Sequence, residues 1–157
     1  MSKGFSIKFT GPDFDALAAE LEAPVRPAAQ AMAQVLYDQV QLNVGRLRKK
    51  TGNLARSIYQ AYSKDNSTPQ RAVYHVSWNA RKAPHGHLVE FGHLQRYEIS
   101  FNRETGRFMT HRDRPLPTPK LIAARPFLRP ALAYTQQALD AGRDRYFAEL
   151  QAKGFIK

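Results

Sequence analysis

The absence of cysteine excludes two kinds of structural feature from this chain. With no cysteine among 157 residues, the chain has no disulfide bond and no thiolate metal site, and it suits a reducing compartment. No apolar run approaches the roughly 20 residues that a membrane-spanning helix needs. The opening residues Met1–Gly4 begin no secretory signal. We therefore expect one domain, residues 1–157, made in the cytoplasm and without a membrane partner.

Groupings typical of catalysis are also missing. The 13 acidic residues are scattered and provide no paired carboxylates in an apolar setting, and neither Ser57 nor Ser77 lies in a nucleophile motif. The glycines form no phosphate-binding loop. We expect the chain not to be an enzyme and to carry no cofactor.

Three histidines close to one acid raise the question of a metal site. His85, His87 and His93 surround Glu90, but positions i and i+2 do not share a helix face and the spacing matches no common zinc pattern. Ordinary surface or interface histidines are favoured over ligands. A metal-dependent enzyme that uses these four residues is the weakest of the functions we consider.

Positive charge is concentrated in the middle of the chain, which has a net charge of +11 overall. Residues 1–42 hold three basic and five acidic side chains, residues 43–82 hold nine and one, and residues 96–129 hold eight and three. Such a field can bind nucleic acid through counterion release, meet an acidic protein, or simply be a solvated surface. No helix-turn-helix or finger pattern is present. A stand-alone basic nucleic-acid-binding protein therefore remains an alternative.

Three segments have the apolar spacing of amphipathic helices. The pattern predicts a first helix from about Phe14, a long helix from Val25 to about Val44 that ends at Gly45, and a final helix from Pro126 to about Ala152. A short apolar turn between Pro84 and Gly92 is too short to persist alone. We expect the two long helices to hold it.

Alternating and aromatic segments predict strands. Residues 58–63 and 72–78 flank turn-forming residues and predict an antiparallel hairpin, with Trp78 packed in the core where the strand ends. Residues 5–9 alternate in the same way and lie within an expected N-terminal arm, residues 1–12.

A second hairpin is predicted from residues 97–101 and 107–111, with Gly106 at a positive-φ position of the turn. Residues 112–126 contain four prolines and are interpreted as a loop. The predicted fold class is α+β, with a small antiparallel sheet packed against two long helices and an inserted β-hairpin and Pro-rich loop.

Three blocks in a fixed order carry a resemblance to a known family. They are TGNLARSI at residues 51–58, LVEFG at residues 88–92 and ARPFLRPAL at residues 124–132. Together with the long helices, over about residues 25–150, they resemble the head–tail joining or tail-completion proteins of long-tailed bacteriophages, which are minor tail components of the neck.

Two features depart from that family's usual pattern. His93 stands where the family more often has a small hydroxyl residue, and residues 94–123 form a long insertion. The insertion is expected to reach a neighbouring subunit or the next ring.

The resemblance implies a structural role in the virion. Such proteins are similar in fold to tail terminators and usually form a sixfold ring on the tail tube. The ring docks the head connector or stopper, and DNA passes through its lumen without sequence-specific contact. Assembly would take place in the cytoplasm of the host bacterium, and the finished protein would lie in the neck or tail of the virion.

The motif blocks also supply candidate structural residues. We expect one core cluster made of Leu54, Ile58, Leu88, Phe91, Phe127, Leu128 and Leu132. The other motif positions are Gly52, Glu90, Gly92, Pro126 and Pro130. Candidate inter-subunit or DNA-facing cations are Arg46, Arg48, Lys49, Lys50, Arg103, Arg107, Arg125 and Arg129. Gly52 and Gly92 would give the backbone freedom at turns, and Glu90 would pair with Arg125 or Arg129 at a subunit contact.

Overall fold

The structure, a computed structural model, describes residues 14–47 and 52–156. The predicted N-terminal arm and the basic residues Arg48, Lys49 and Lys50 lie outside the described residues. In chain order the elements are α1 (Phe14–Glu22), α2 (Val25–Gly45), α3 (Asn53–Ser57), β1 (Ile58–Tyr62), β2 (Tyr74–Trp78), α4 (Gly86–Phe91), β3 (His93–Asn102), β4 (Arg107–Ile122), a 3-10 helix (Arg129–Tyr134) and α5 (Thr135–Ala152). The predicted α+β class is confirmed.

The two long helices, α2 and α5, pack against each other along small residues. Gly142 is buried in α5, and a Cβ atom added to it would lie 2.4 Å from Cγ of Met32 and 3.3 Å from the carbonyl oxygen of Ala28. The helices can approach this closely because residue 142 has no side chain. Proline before and within the first turn of α2, and glycine at its end, match the predicted bounds of that helix.

The first sheet covers the end of α2. Strands β1 and β2 pair antiparallel, with Ile58 opposite Trp78, which confirms the first predicted hairpin. The core cluster joins these strands to α2 and to the segment before α5. Its buried members are Val40, Val44, Leu54, Ile58, Ala83, Phe127 and Ala131. The Trp78 ring packs edge-on against the Phe127 ring, with 5.7 Å between centroids.

The predicted core membership is correct for some residues and wrong for others. Leu54, Ile58 and Phe127 are core residues, and the partly buried Leu128 packs against them. Phe91 and Leu132 are each 64% exposed, and these predictions are wrong. A 3-10 helix repeats every three residues, so Leu128 and Ala131 face inwards and Leu132 turns outwards. Half-buried Leu88 lies outside the cluster, and Pro126 and Pro130 are exposed rather than buried.

The start of the final helix also differs from the prediction. An α-helix from Pro126 would place Pro130 in its interior, where the proline ring clashes with the carbonyl of residue i−4 and removes a hydrogen bond. The chain instead forms the 3-10 helix with Pro130 in its first turn and changes to the α-helix α5 at Thr135.

Strands β3 and β4 form a second antiparallel pair, which we name the ribbon (residues 93–122). Phe101 pairs with Phe108, and Gly106 in the connecting turn has φ +65°, as predicted. The loop predicted for residues 112–126 is wrong, because β4 continues to Ile122. Its prolines, at positions 115, 117 and 119, alternate, so their missing N–H groups lie along one edge of the strand. An edge strand tolerates such prolines.

Gly142 provides a test of the α2–α5 contact. Gly142→Leu places a side chain where Met32 and Ala28 already stand, so the free energy of unfolding should fall by about 1–3 kcal/mol. Gly45→Leu is the matched control, since nothing lies within 4 Å of a Cβ at Gly45. Urea unfolding followed by circular dichroism measures both. Equal stability of the two variants would contradict the close packing described here.

Candidate functional site

Glu90 joins two of the motif blocks through one buried carboxylate. The Glu90 side chain is 1% exposed, and its Oε2 accepts hydrogen bonds from the backbone N–H groups of Phe127 at 2.7 Å and Leu128 at 3.0 Å. Its Oε1 accepts from the backbone N–H and from Nε of Arg129, both at 3.1 Å. We name this arrangement, Glu90 with residues 127–129, the Glu90 clamp.

The clamp keeps Glu90 ionised although it is buried. Burial by itself raises the pKa of a carboxyl group, but the N–H groups of Leu128, Phe127 and Arg129 and the Arg129 side chain together lower the pKa of Glu90 below its ordinary value of 4.5. Hydrogen bonds to an ionised group are among the stronger ones in proteins. The carboxylate therefore acts as a fixed negative anchor for three consecutive amides.

Arg129 completes the clamp from the solvent side. Its Nη2 donates to the carbonyl oxygen of Glu90 at 2.7 Å, and its guanidinium lies 4.9 Å from the centre of the Phe91 ring. The predicted pairing of Glu90 with Arg129 is present, and it lies within one chain rather than between subunits. Arg125 donates its backbone N–H to the carbonyl of Val89 at 2.8 Å. The exposed Phe91 ring is thus a platform for Arg129 and not a core residue.

Gly92 fixes where the chain leaves α4 and enters the ribbon. It has φ +73°, and a Cβ there would lie 2.7 Å from the carbonyl oxygen of Ile122 and 2.8 Å from the backbone nitrogen of Ala124. Only glycine allows both this conformation and this approach. Gly52, with φ +71°, precedes α3 in the left-handed helical conformation, and so also has a positive φ. The expectations for both glycines are confirmed.

The histidines near Glu90 do not converge on a site. Within residues 14–47 and 52–156, no three His, Asp or Glu side chains are grouped so that they could hold a metal ion. Both oxygens of Glu90 are already engaged in the clamp. Partial burial and the neighbouring His87 lower the pKa of His85, which favours its neutral form.

The candidate cations that the structure describes occupy separate segments. Arg46 follows α2, Arg103 and Arg107 lie at the tip of the ribbon, and Arg125 follows β4; all four are exposed. Arg129 is committed to the clamp. The structure thus brings Glu90 and Arg129 together with residues 126–128. It places Arg103 and Arg107 at the tip of the ribbon, away from the clamp.

One face of the ribbon is apolar and open to water. Ile99, Phe101 and Phe108 share a face, since Phe101 pairs with Phe108 and side chains alternate along a strand; they are 42%, 40% and 51% exposed. Tyr97, 37% exposed, lies two residues earlier on the same strand. We name these four residues the apolar face. The Phe101 and Phe108 ring centroids are 5.0 Å apart.

The opposite face of the ribbon is mainly polar. Ser100 and His111 are hydrogen-bonded there at 2.8 Å, and Glu98 pairs with Arg114 at 3.7 Å. Beyond its own two strands, the ribbon has no extensive packing against another described helix or strand. The sequence predicted the hairpin itself. The alternation of apolar and polar residues along its strands is typical of a sheet with one buried face, but here the apolar face is exposed.

An apolar groove of about 430 Å³ lies along α2, between β2 and the 3-10 helix. Met32 and Leu36 of α2, Val76 of β2, and Leu128 and Leu132 line it. We name it the α2 groove. The sequence pattern did not indicate it, because its walls come from three segments far apart in the chain. Leu132, expected in the core, lines this groove and is exposed there.

The Glu90→Gln variant tests the clamp. An amide can accept through only one atom, so at least one of the buried N–H groups loses its acceptor. We expect the free energy of unfolding at pH 7 to fall by about 2–4 kcal/mol. Because the folded-state pKa of Glu90 is lowered, its contribution is present above about pH 4.5 and is lost as the pH falls through the folded-state value. Urea unfolding at pH 7 and at pH 3 measures this, and the difference between variant and native protein should shrink at pH 3.

The exposed Glu20→Gln on α1 is the matched control, and it should change the unfolding free energy by less than about 0.5 kcal/mol. A Glu90→Gln variant as stable as the native protein at pH 7 would show that the clamp does not hold the two segments together.

Comparisons with known proteins identify a family for the part of the chain that ends at Gly92. A family model named HK97-gp10_like, described as "Bacteriophage HK97-gp10, putative tail-component", matches residues 11–92, just over half of the chain. No curated protein and no solved structure matches the chain. The matched part contains α1 to α4 and Glu90, and the ribbon and α5 follow it. None of the helices within residues 14–47 and 52–156 has the length and apolar composition needed to cross a membrane. The chain belongs to the HK97-gp10-like family of bacteriophage tail components.

Proposed function

We propose that this tail component forms a ring in the neck of a long-tailed phage, where it completes the tail and joins it to the head connector. The observation that carries the proposal is the ribbon, whose exposed apolar face contacts no other described element extensively. We call the other described residues, 14–47, 52–92 and 123–156, the body. Exposed apolar surface of this kind marks an interaction site. Within a tail component, the natural partners are other virion proteins, including further copies of the same chain.

A ring follows from the geometry of such an interface. If the ribbon of one copy contacts a different surface on the next copy, the interface is heterologous, and heterologous interfaces close into rings when the rotation permits. About six copies would enclose a lumen. Head connector or stopper proteins would bind one side of the ring, the tail tube would bind the other, and DNA would pass through the lumen without sequence-specific contact.

The proposed role is structural rather than enzymatic. The buried acid that would be the natural candidate for acid–base chemistry has both oxygens occupied by Phe127, Leu128 and Arg129. A general base needs a free position within reach of a substrate proton. The net charge of +11 suits a protein that surrounds DNA, and exposed Arg46, Arg103 and Arg107 can screen phosphates without reading bases.

A second candidate function is stand-alone nucleic-acid binding. The observation that favours it is the ribbon tip, where Arg103 and Arg107 lie within two residues of the paired Phe101 and Phe108. Aromatic rings interleaved with cations are typical of surfaces on which single-stranded bases stack.

Light scattering of the purified chain over a range of concentrations separates the two functions. The neck proposal predicts growth from monomer to closed rings of about six copies, visible with a central hole in negative-stain images. The alternative predicts a monomer at every concentration that binds DNA tightly, with affinity falling steeply as salt increases. That second result would replace the neck proposal.

Removing the ribbon tests whether it makes the intermolecular contact. Gln95 and Lys120 are directly paired, so residues 96–119 can be replaced by an Asn-Gly turn that closes the shortened hairpin. We expect a folded monomer, with the cooperative unfolding of the native body, that forms no rings and joins no heads to tails. Loss of the folded body would show instead that the ribbon is part of the core.

A further inference from the structure

From the structure we infer that α1 is a hinged lid. It closes a cleft of the body and opens as a unit at Ala23, while the rest of the body stays folded. This inference concerns the single subunit and goes beyond the proposed function, because it holds whether or not the chain forms rings.

Helix α1 is weakly attached to the rest of the body. Residues 15–21 are all exposed, and α1 packs extensively against no other described helix or strand. Leu17 and Leu21, which share a helix face, are 39% and 40% exposed. The apolar face of a surface helix normally packs on the core. A segment with so few buried apolar contacts is one that opens locally.

Two hydrogen bonds attach the C-terminal end of α1 to the rest of the body. The Tyr146 hydroxyl of α5 donates to the carbonyl oxygen of Leu21 at 3.1 Å. The side-chain amide of Gln70 donates to a carboxylate oxygen of Glu22. Both bonds are exposed to water, so each contributes only modestly to stability. They close the lid without locking it.

The helix is too short to persist away from these contacts. It has nine residues, fewer than the roughly 12–15 that an isolated helix needs in water. Its turns therefore form and are lost together. We expect the amides of α1 to open in one step rather than one by one.

The junction with α2 provides the hinge. Pro24 is less than 2% exposed, and its carbonyl accepts the N–H of Ala28 at 3.0 Å, so α2 starts from a fixed point. The N–H of Ala23 still donates to the carbonyl of Ala19, at 3.1 Å, in the last turn of α1. The helical conformation is disfavoured in a residue that precedes proline. The change of backbone conformation is therefore confined to Ala23, between α1 and a buried proline.

The lid closes over a cleft of about 530 Å³. Glu22 of α1 lines it together with Arg26 of α2 and with Lys64 and Thr68 of the turn between β1 and β2. The Arg26 guanidinium lies 4.3 Å from the centre of the Tyr62 ring. Because α1 carries three acidic and no basic side chains, the closed lid places negative charge beside Arg26 and Lys64. Attraction between exposed charges is small, which suits a lid that closes reversibly. Opening removes that charge and uncovers the cleft.

Native-state hydrogen exchange of the full-length chain, followed by NMR, measures the opening. We expect the amides of residues 18–23 to exchange at least about 100-fold faster than those of residues 36–44 in α2, since local opening costs less free energy than unfolding of the core. Within residues 18–23 the protection should agree to about threefold, because one opening exposes them all.

Two results of that measurement would overturn the inference. Exchange of residues 18–23 as slow as that of residues 36–44 would show that α1 belongs to the core. Protection that rises steadily from the N-terminus of α1 towards Ala23 would show fraying of the helix end instead of a hinged opening.

Removing the two attaching hydrogen bonds should favour the open lid. Tyr146→Phe combined with Gln70→Ala should raise the exchange rate of residues 18–23 at least about fivefold and leave that of residues 36–44 within about twofold. An unchanged rate for residues 18–23 would show that these bonds do not close the lid. Equal acceleration of both sets would show that α1 does not open independently.

A matched double variant controls for loss of a hydroxyl and an amide elsewhere. Tyr37→Phe combined with Gln136→Ala removes groups that are hydrogen-bonded within α2 and within α5. It should leave the exchange rate of residues 18–23 within about twofold. Acceleration of residues 18–23 equal to that in the first double variant would contradict the specific role of Tyr146 and Gln70.

A covalent bridge tests the closed state, because the chain has no cysteine that would react elsewhere. Glu22→Cys combined with Gln70→Cys, joined by a short bis-maleimide, replaces the hydrogen bond with a permanent link. We expect residues 18–23 to exchange at least about tenfold more slowly than in the same variant with both thiols capped by N-ethylmaleimide. Equally fast exchange in the bridged chain would show that α1 opens without moving away from residue 70, and the hinge would be wrong.

Discussion

The rest of the structure depends on the buried carboxylate of Glu90. A buried negative charge is costly unless hydrogen bonds compensate it, and here the compensation comes from a segment 37 to 39 residues later in the chain. The three amides of that segment have no helical partner of their own, because Phe127 and Leu128 precede the 3-10 helix and Arg129 is its first residue. Each side of the clamp therefore satisfies polar groups of the other. This exchange of hydrogen bonds fixes Phe127 in the core. It thereby also fixes where the segment that leads to α5 begins.

The same clamp explains how the fold accommodates the long ribbon. The ribbon leaves α4 at Gly92 and returns at Ile122, which the structure holds in direct contact, and the clamp lies just beyond both ends. Since the entropy of closing a loop grows slowly with its length, a segment between two fixed ends can lengthen at little cost to the body. The family match ends at residue 92, the point at which the chain enters the ribbon. The ribbon thus begins where the family match ends, and both of its ends are held next to each other.

Local patterns predicted most of the fold, and contacts distant in sequence account for the errors. Proline and glycine positions located the ends of α2, and Gly106 located the turn of the ribbon, because these residues act on the backbone where they stand. The strand through Pro115 was interpreted as a loop, since proline is rare in a paired strand and its edge position depends on which side the partner lies. Leu132 was assigned to the core by α-helical spacing, which a 3-10 helix does not follow. The pairing of Glu90 with Arg129 was among the predictions, but the backbone N–H groups that also bind its carboxylate became evident only when residues 127–129 were placed beside it.

Stability and the proposed assembly depend on different residues of this molecule. The body is held by buried apolar contacts around Phe127 and by a fully hydrogen-bonded carboxylate, both inaccessible to a partner. The apolar face of the ribbon contributes little to that core, so substitutions there should add independently to those in the clamp. Such a division suits the proposed function, in which a subunit folds before it meets its neighbours. An apolar face carried on a projecting ribbon can remain in water at a modest cost until assembly covers it.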